Sequence, residues 1–321
     1  CGARRSRGLL GRVIVGGVVR DEDAEEVTIG LVGAGGNGSQ MLTGLARLHT
    51  SIRALGHPGL HVIVYDPDDV SEANLGRQLF APADVGRSKA SVLVTRLNAW
   101  YGMRWVAVPG LFQGAADGDL NIVVSCVDTA RARVAIGKTI TQQNGGGTYY
   151  WLDLGNRAAD GQVVLGIPAQ DEQHEAYAFR LPTVLELFPE LAAEAERLDR
   201  DNGPSCSLAQ ALERQELFVN QAVVTPALQL LWQIFRYGRT TWCGAFVNLR
   251  SGRMSPLPVD PEAWERFGHH AGRLRQTHFT VDRKGRKTVH ERRYPMSEEH
   301  KAMLEEHRRE EAEAAAIEVP A

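Results

Sequence analysis

Four glycines, Gly33, Gly35, Gly36 and Gly38, crowd into the stretch GAGGNGS directly after the apolar run VTIGLV. Glycine lets a backbone come close to a phosphate, and a helix that starts there presents N–H groups with no carbonyl to bind. Read as Gly33, Gly35 and Gly38, the spacing also satisfies the dinucleotide pattern GxGxxG, so the glycines alone leave a nicotinamide-dependent oxidoreductase open. Asp66 ends a second apolar run, HVIVYD, where a carboxylate can accept hydrogen bonds from ribose hydroxyls. The polar cluster Asn74, Arg77 and Gln78 follows in DPDDVSEANLGRQLF, and Lys89 in DVGRSKA. Hydride transfer has no evident use for Arg77 and Lys89 beside the nucleotide. A triphosphate attacked at its α-phosphorus gathers negative charge that such cations stabilise. The bland alternative for these residues is a solvated loop-and-helix surface.

Those side chains need elements to hold them. The run VTIGLV predicts a strand, GAGGNGS a turn, and the periodic Met41, Leu42, Leu45 and Leu48 a helix. Asp66 lies further from the glycines than the ~20 residues usual for a ribose-binding acid, which predicts an insertion over 50–60 that lengthens the helix or its exit. Helix is expected over 89–100, and strands over 105–108 and 121–127. Alternating strands and helices imply a parallel sheet covered on both faces. The glycine-rich stretch 144–147 leads into YYWLDLGNRAADGQVVLGI, two strands with a turn at 159–161. Residues 208–235 read as a buried helix interrupted by Pro226, and 242–249 as a further strand. The fold class expected is α/β: a Rossmann-like, mostly parallel sheet with mixed strands in its C-terminal half. Around a body of residues 27–257 stand an arm of 1–26, a crossover lid of 168–207 and a charged extension of 258–321, with a hairpin near 283–286 and a helix from 297.

Composition narrows the classes. The 321 residues are 43% hydrophobic and 23% charged, values of an ordinary globular chain. A net charge of -3 gives no broad attraction to nucleic acid, although Arg4, Arg5, Arg7, Arg12 and Arg20 could form a local basic patch on an otherwise solvated arm. No apolar run is long enough for a membrane helix and no signal-peptide core is seen, so a cytoplasmic location is expected. An opening Cys1 in place of Met is expected of a chain whose native start lies upstream. Cys1, Cys126, Cys206 and Cys243 form no CxxC pair, which argues against a disulfide framework and against a structural zinc. Cys126 and Cys243 read as strand residues. Cys206, in the loop DNGPSCSLAQ ahead of the long helix, could be an exposed thiol activated by a helix N-terminus and able to take an acyl group, or a buried small residue.

The ordered motifs GAGGNGS, DPDDVSEANLGRQ, DVGRSKA and SCVDTARAR resemble the ThiF/MoeB family of ubiquitin-activating-enzyme-like adenylyltransferases over residues 27–249. The insert TGLARLHTSIRALGHPG and the stretch PSCSLAQALERQELFVNQ most resemble the ThiF-family component of the plasmid-associated PRTRC system. The resemblance implies that the four glycines hold ATP phosphates, that Asp66 binds ribose and that Asn74, Arg77, Gln78 and Lys89 surround the phosphates. It implies that Asp128 positions Mg2+, a divalent cation able to align pyrophosphate as a leaving group, the alternative being an N-cap for the helix near Thr129. Arg133 could pair with Asp128 or be a surface charge. The resemblance further implies a homodimer and a substrate that is a small ubiquitin-like or carrier protein, adenylated at its C-terminus with possible transfer to Cys206. A non-catalytic ATP-binding scaffold within a multi-protein system is the remaining alternative. Relatives often carry zinc-binding CxxC pairs and an N-terminal arginine that reaches the partner subunit; no matching motif selects among the arginines here.

Overall fold

The β-branched run Val27–Val32 is buried almost throughout, as a strand covered on both faces must be (β1). In the computed structural model residues 26–114, 120–142, 148, 150–168, 180–200, 212–213 and 215–269 are described, together with the backbone of 276–281 and 287–292. The arm with its arginines, Cys1, Cys206, the glycines at 145–147, much of the lid and the helix expected from 297 lie outside the described residues.

β1 leads through the glycine turn into α1 (Gly36–Ala54), which buries Met41, Leu42, Leu45, Leu48 and Ile52 along one stripe. α1 runs on to Ala54 before a five-residue exit, where the sequence places its insertion. β2 (Leu60–Tyr65), α2 (Lys89–Tyr101), β3 (Val106–Val108), β4 (Ile122–Ser125) and α3 (Ala130–Gln142) complete the strand-helix alternation. β5 (Tyr150–Asn156) pairs parallel with β4, and β6 (Asp160–Gly166) returns antiparallel. The turn between them is at 157–159, two residues earlier than expected, because Gly161 already pairs with Asn156 in the ladder.

The described part of the lid forms three short helices, α4 (Val184–Leu187), α5 (Glu190–Ala193) and α6 (Ala195–Arg200). The long helix, α7, spans Val219–Tyr237, so it begins well after residue 208, and Pro226 lies inside it. The proline forfeits only its bond to the carbonyl one turn back, while Val223, Val224, Ala227, Leu230, Leu231 and Ile234 keep the apolar stripe continuous across it. β7 (Trp242–Asn248) is followed by a strand not anticipated from sequence, β8 (Arg253–Pro258). After it comes α8 (Pro261–Glu265), whose Trp264 is fully buried and donates its Nε1 hydrogen to Pro258 O at 2.9 Å. β9 (Gln276–Val281) and β10 (Lys287–Arg292) form the expected antiparallel pair.

The eight-stranded sheet has the order β3-β2-β1-β4-β5-β6-β7-β8, parallel through β5 and antiparallel beyond. Helices α1, α2 and α7 share a core on one face, and α3, α4 and α8 share the other. A Cβ on Gly44 of α1 would stand 2.1 Å from Leu228 Cδ1, so the absence of a side chain there lets α7 cross α1 closely. The strand order reverses between β1 and β4, and in open α/β sheets the crevice at such a reversal, outside the carboxyl ends of the strands, receives ligands. None of the described helices is long and apolar enough to cross a membrane.

Candidate functional site

The carboxyl ends of β1, β2 and β4 bring the glycine turn, Asp66 and Asp128 to that crevice. Gly33 has a left-handed φ of 93°, donates its N–H to Tyr65 O at 2.8 Å and passes so close to β4 that a Cβ would be 2.8 Å from Cys126 O. A Cβ on Gly38 would lie 1.8 Å from Gly33 O, so the turn folds back directly on the first turn of α1. A Cβ on Gly36 would meet the Asn220 amide at 2.6 Å. Gly35 differs: its Cβ would find only the Gln78 amide at 3.8 Å, an ordinary contact. Gly35 is also the N-cap of α1 and offers no capping side chain, and the first turn carries no acid. The N–H groups ahead of Ser39, which bonds Gly35 O at 2.9 Å, have no helical carbonyl one turn back.

Asp66 is buried at 4% exposure and ties the turn to the end of β2. Its Oδ2 accepts from Ala34 N–H at 2.5 Å and its Oδ1 from Asp68 N–H at 2.8 Å. Burial pushes its pKa above the usual carboxylate value, outweighing those two donors and the nearby Lys89. Lys89 is buried at the start of α2 and bonds Asp68 Oδ2 at 2.8 Å, so its ammonium is already paired, with a carboxylate two residues on from Asp66. Asn74 serves its own turn: its Oδ1 accepts from Ser71 N–H at 2.8 Å and from Ser71 Oγ–H at 3.1 Å. It thereby shapes the short 3-10 turn that delivers Arg77 and Gln78. Gln78 is buried against Gly35. Arg77 is half-buried, desolvation lowers its pKa, and its Nη1 donates to Gln215 Oε1.

Asp128 is exposed between β4 and α3. The cap of α3 comes from elsewhere: Thr129 Oγ1 accepts from Ala132 N–H at 3.2 Å, and Asp199 of α6 accepts from Ala130 N–H at 2.7 Å and Arg131 N–H at 3.2 Å. Arg133 does not pair with Asp128 and is no surface charge. Its place one turn into α3 turns it toward the sheet, where Nε meets Asp153 of β5 at 3.1 Å and Nη2 donates to Val127 O at 2.7 Å and Leu154 O at 3.2 Å. Ser125 Oγ–H also donates to Asp153, at 2.6 Å, so a buried network braces the end of β4 just ahead of Asp128. Cys126 and Cys243 are buried; burial pushes the Cys243 thiol up to about 12 and the Cys126 thiol further.

Three site residues escaped the sequence reading. Asn37, inside the glycine motif, donates Nδ2 to Asn156 Oδ1 at 2.8 Å and leaves its buried Oδ1 without a partner. Asn220, at the start of a helix read as apolar, is 2% exposed with its Nδ2 unpartnered against Gly36. Gln215 grips Arg77 across 138 residues of sequence, a contact that no local pattern encodes. Arg77 Nε and Gln78 Oε1 are likewise buried, and none of these four atoms has a hydrogen-bond partner among the described residues.

The ThiF family matches residues 14–261. Ubiquitin-like modifier-activating enzyme 5 of Oryza sativa subsp. japonica is 28% identical over 172 residues, 46% of this chain and 37% of that protein. Its counterpart in Caenorhabditis briggsae is 26% identical over 156 residues, 43% of this chain and 33% of that protein. The chain thus spans between 33% and 37% of the length of these curated relatives. Among solved structures, E. coli MccB crystallised with ATP matches with a TM-score of 0.46 and 14% identity over 78% of this chain and 66% of that one. The MccB structure with succinimide matches at 0.48 and 14% over the same shares. With the family matched over most of its length, this chain belongs to the ThiF family.

Proposed function

We propose that this protein adenylates a carboxylate with ATP, the acid being the C-terminus of a small ubiquitin-like or carrier protein or of a peptide. One observation carries this reading most: Asn37 Oδ1, Arg77 Nε, Gln78 Oε1 and Asn220 Nδ2 are buried without partners among the described residues, around a helix N-terminus that no side chain caps. A buried polar atom left unpaired costs about 1–3 kcal/mol, so four together mark a place that a polar ligand completes. Their mixture of donors and acceptors suits a nucleotide, whose phosphates accept and whose ribose and base also donate. The family's membership and the names of its relatives, which are modifier-activating enzymes, point the same way.

In this reading the α1 N–H groups and Arg77 hold the phosphates, and Asp66 accepts from the ribose. Lys89 and Asp68 buttress Asp66. A carboxylate oxygen of the substrate attacks the α-phosphorus, the bond to the bridging oxygen breaks, and pyrophosphate leaves with the electron pair. The fixed N–H dipoles and Arg77 stabilise the charge that builds on the phosphate oxygens. Asp128, exposed at the end of β4, would hold Mg2+, which neutralises charge on the departing pyrophosphate. Among the described residues no group of three His, Cys, Asp or Glu could cage a metal by itself. A nucleotide-borne Mg2+ needs only one or two carboxylates beside phosphate and water oxygens. A second step would pass the acyl group to the Cys206 thiolate with release of AMP; Cys126 and Cys243 are sealed in the core and unsuited to it. A homodimer, cytoplasmic residence and the PRTRC subgroup belong to the same proposal and rest on the sequence resemblance.

Pyrophosphate exchange into ATP, driven by a candidate small protein, tests the proposal. Exchange that disappears in Asp128→Ala is expected. No exchange with any candidate, and no dependence on Asp128, would defeat it; ATP binding without turnover would favour a scaffold, and NAD binding without ATP binding a dehydrogenase.

A further inference from the structure

The guanidinium of Arg77 differs from its buried and half-buried counterparts in what it faces. Arg133 pairs with Asp153, Arg180 with Glu186 and Arg96 with Asp84. Arg77, half removed from water, meets no carboxylate among the described residues; its one acceptor is the neutral carboxamide of Gln215. That carboxamide is itself fixed. Gln215 Nε2 donates to Arg157 O at 3.1 Å, and the next residue, Glu216, donates its N–H to Ala158 O at 2.7 Å. The turn that receives both bonds is closed by Arg157 N–H to Asp160 O at 2.8 Å and tied to the far end of β7 by Leu249 N–H to Ala159 O at 2.8 Å. Gln215 therefore transmits the position of a sheet-anchored turn to the Arg77 guanidinium.

We propose that Gln215 is a positioning residue: it aims Arg77 at the nucleotide phosphates while leaving its positive charge uncompensated for them. The inference rests on the adenylation proposal and deepens it. A glutamate at 215 would reach the same guanidinium, since the side chains have one length, but would neutralise it and lose the donor to Arg157 O. An aliphatic residue would leave the charge but not its aim. Charge and orientation are thus separable by substitution, and a residue that merely props up the loop would show no such separation.

The test compares wild type, Gln215→Glu and Gln215→Ala by calorimetric titration with ATP and with adenosine. Gln215→Glu should weaken ATP binding by about tenfold or more, the size of one charge-assisted contact, with adenosine binding little changed. Gln215→Ala should lose less ATP affinity than Gln215→Glu, because the cation survives. Wild-type binding of ATP with an unaltered Gln215→Glu affinity overturns this inference alone. Equal losses for ATP and adenosine show a scaffolding role and also overturn it. A wild type that binds no ATP overturns the adenylation proposal and this inference with it.

Discussion

Two glycines of one motif should respond in opposite ways to the same methyl group. At Gly38 a Cβ would stand 1.8 Å from Gly33 O, roughly 1.5 Å short of ordinary contact. The obstacle is backbone, in a residue whose own φ of 93° and closeness to Cys126 O leave it no slack. Overpacking of this kind costs about 3 kcal/mol, the upper part of the usual range, which for a domain of this size lowers Tm by roughly 6–12 °C. At Gly35 the Cβ would meet only the Gln78 amide at 3.8 Å, and the cost to folding comes from its ψ of -138°, outside the regions an L residue favours, about 1 kcal/mol and so well below that at Gly38. The added carbon would stand at the N-cap of α1, beside the N–H groups that no side chain caps and that the proposal gives to a phosphate. Losing one such charge-assisted hydrogen bond costs about 1.5–3 kcal/mol, or roughly ten- to a hundredfold in affinity. Calorimetric unfolding paired with ATP titration reads both quantities. Gly35→Ala should lose only about 2–4 °C of Tm but most of its ATP affinity; Gly38→Ala should lose far more Tm. A Gly35→Ala protein that binds ATP like wild type, or unfolds as early as Gly38→Ala, would refute the division of labour.

Asp153→Ala strands the buried Arg133 and should cost about 3–5 kcal/mol, roughly 6–20 °C in Tm, whereas the double change Arg133→Met with Asp153→Leu should stay near wild type; equal losses from both would show that packing, not an unpaired charge, sets the cost. Asp199→Ala uncaps α3 and should cost about 1 kcal/mol at neutral pH. Burial pushes the Asp199 carboxyl up, but the Ala130 and Arg131 N–H donors and the Arg131 guanidinium outweigh it and hold its pKa below 3.8. A lowered folded pKa stabilises above the unfolded value and is lost as pH falls through the folded one. The gap between wild type and Asp199→Ala in denaturant midpoint should therefore shrink below pH 3.8, and a gap that holds constant there would contradict it.

Local pattern was enough for much of the fold. β1 and the helix over 89–100 were legible because their apolar residues repeat with the period of one element and are stopped by glycine or capped by Ser88. That Gly33, Gly38 and Asp66 come close together was legible too, since each sits at the end of a recognisable element and Asp66 accepts from Ala34 within the glycine turn. What the sequence could not show was which partner each polar group takes. Asp66, Lys89 and Asn74 spend their hydrogen bonds on neighbouring backbone and side chains, and Arg133 turns to Asp153 once α3 packs on the sheet. β8 and Trp264 escaped because an edge strand carrying Met254, Ser255 and Pro256 on exposed positions lacks a clean alternation. Asn37, Asn220 and Gln215 gained their places only when α7 crossed α1 at Gly44 and the residues ahead of it met the β5–β6 turn. Periodicity is a property of neighbours along the chain. Whether a carboxamide stays unpaired beside a glycine is decided by elements far apart in sequence, through the space their packing leaves.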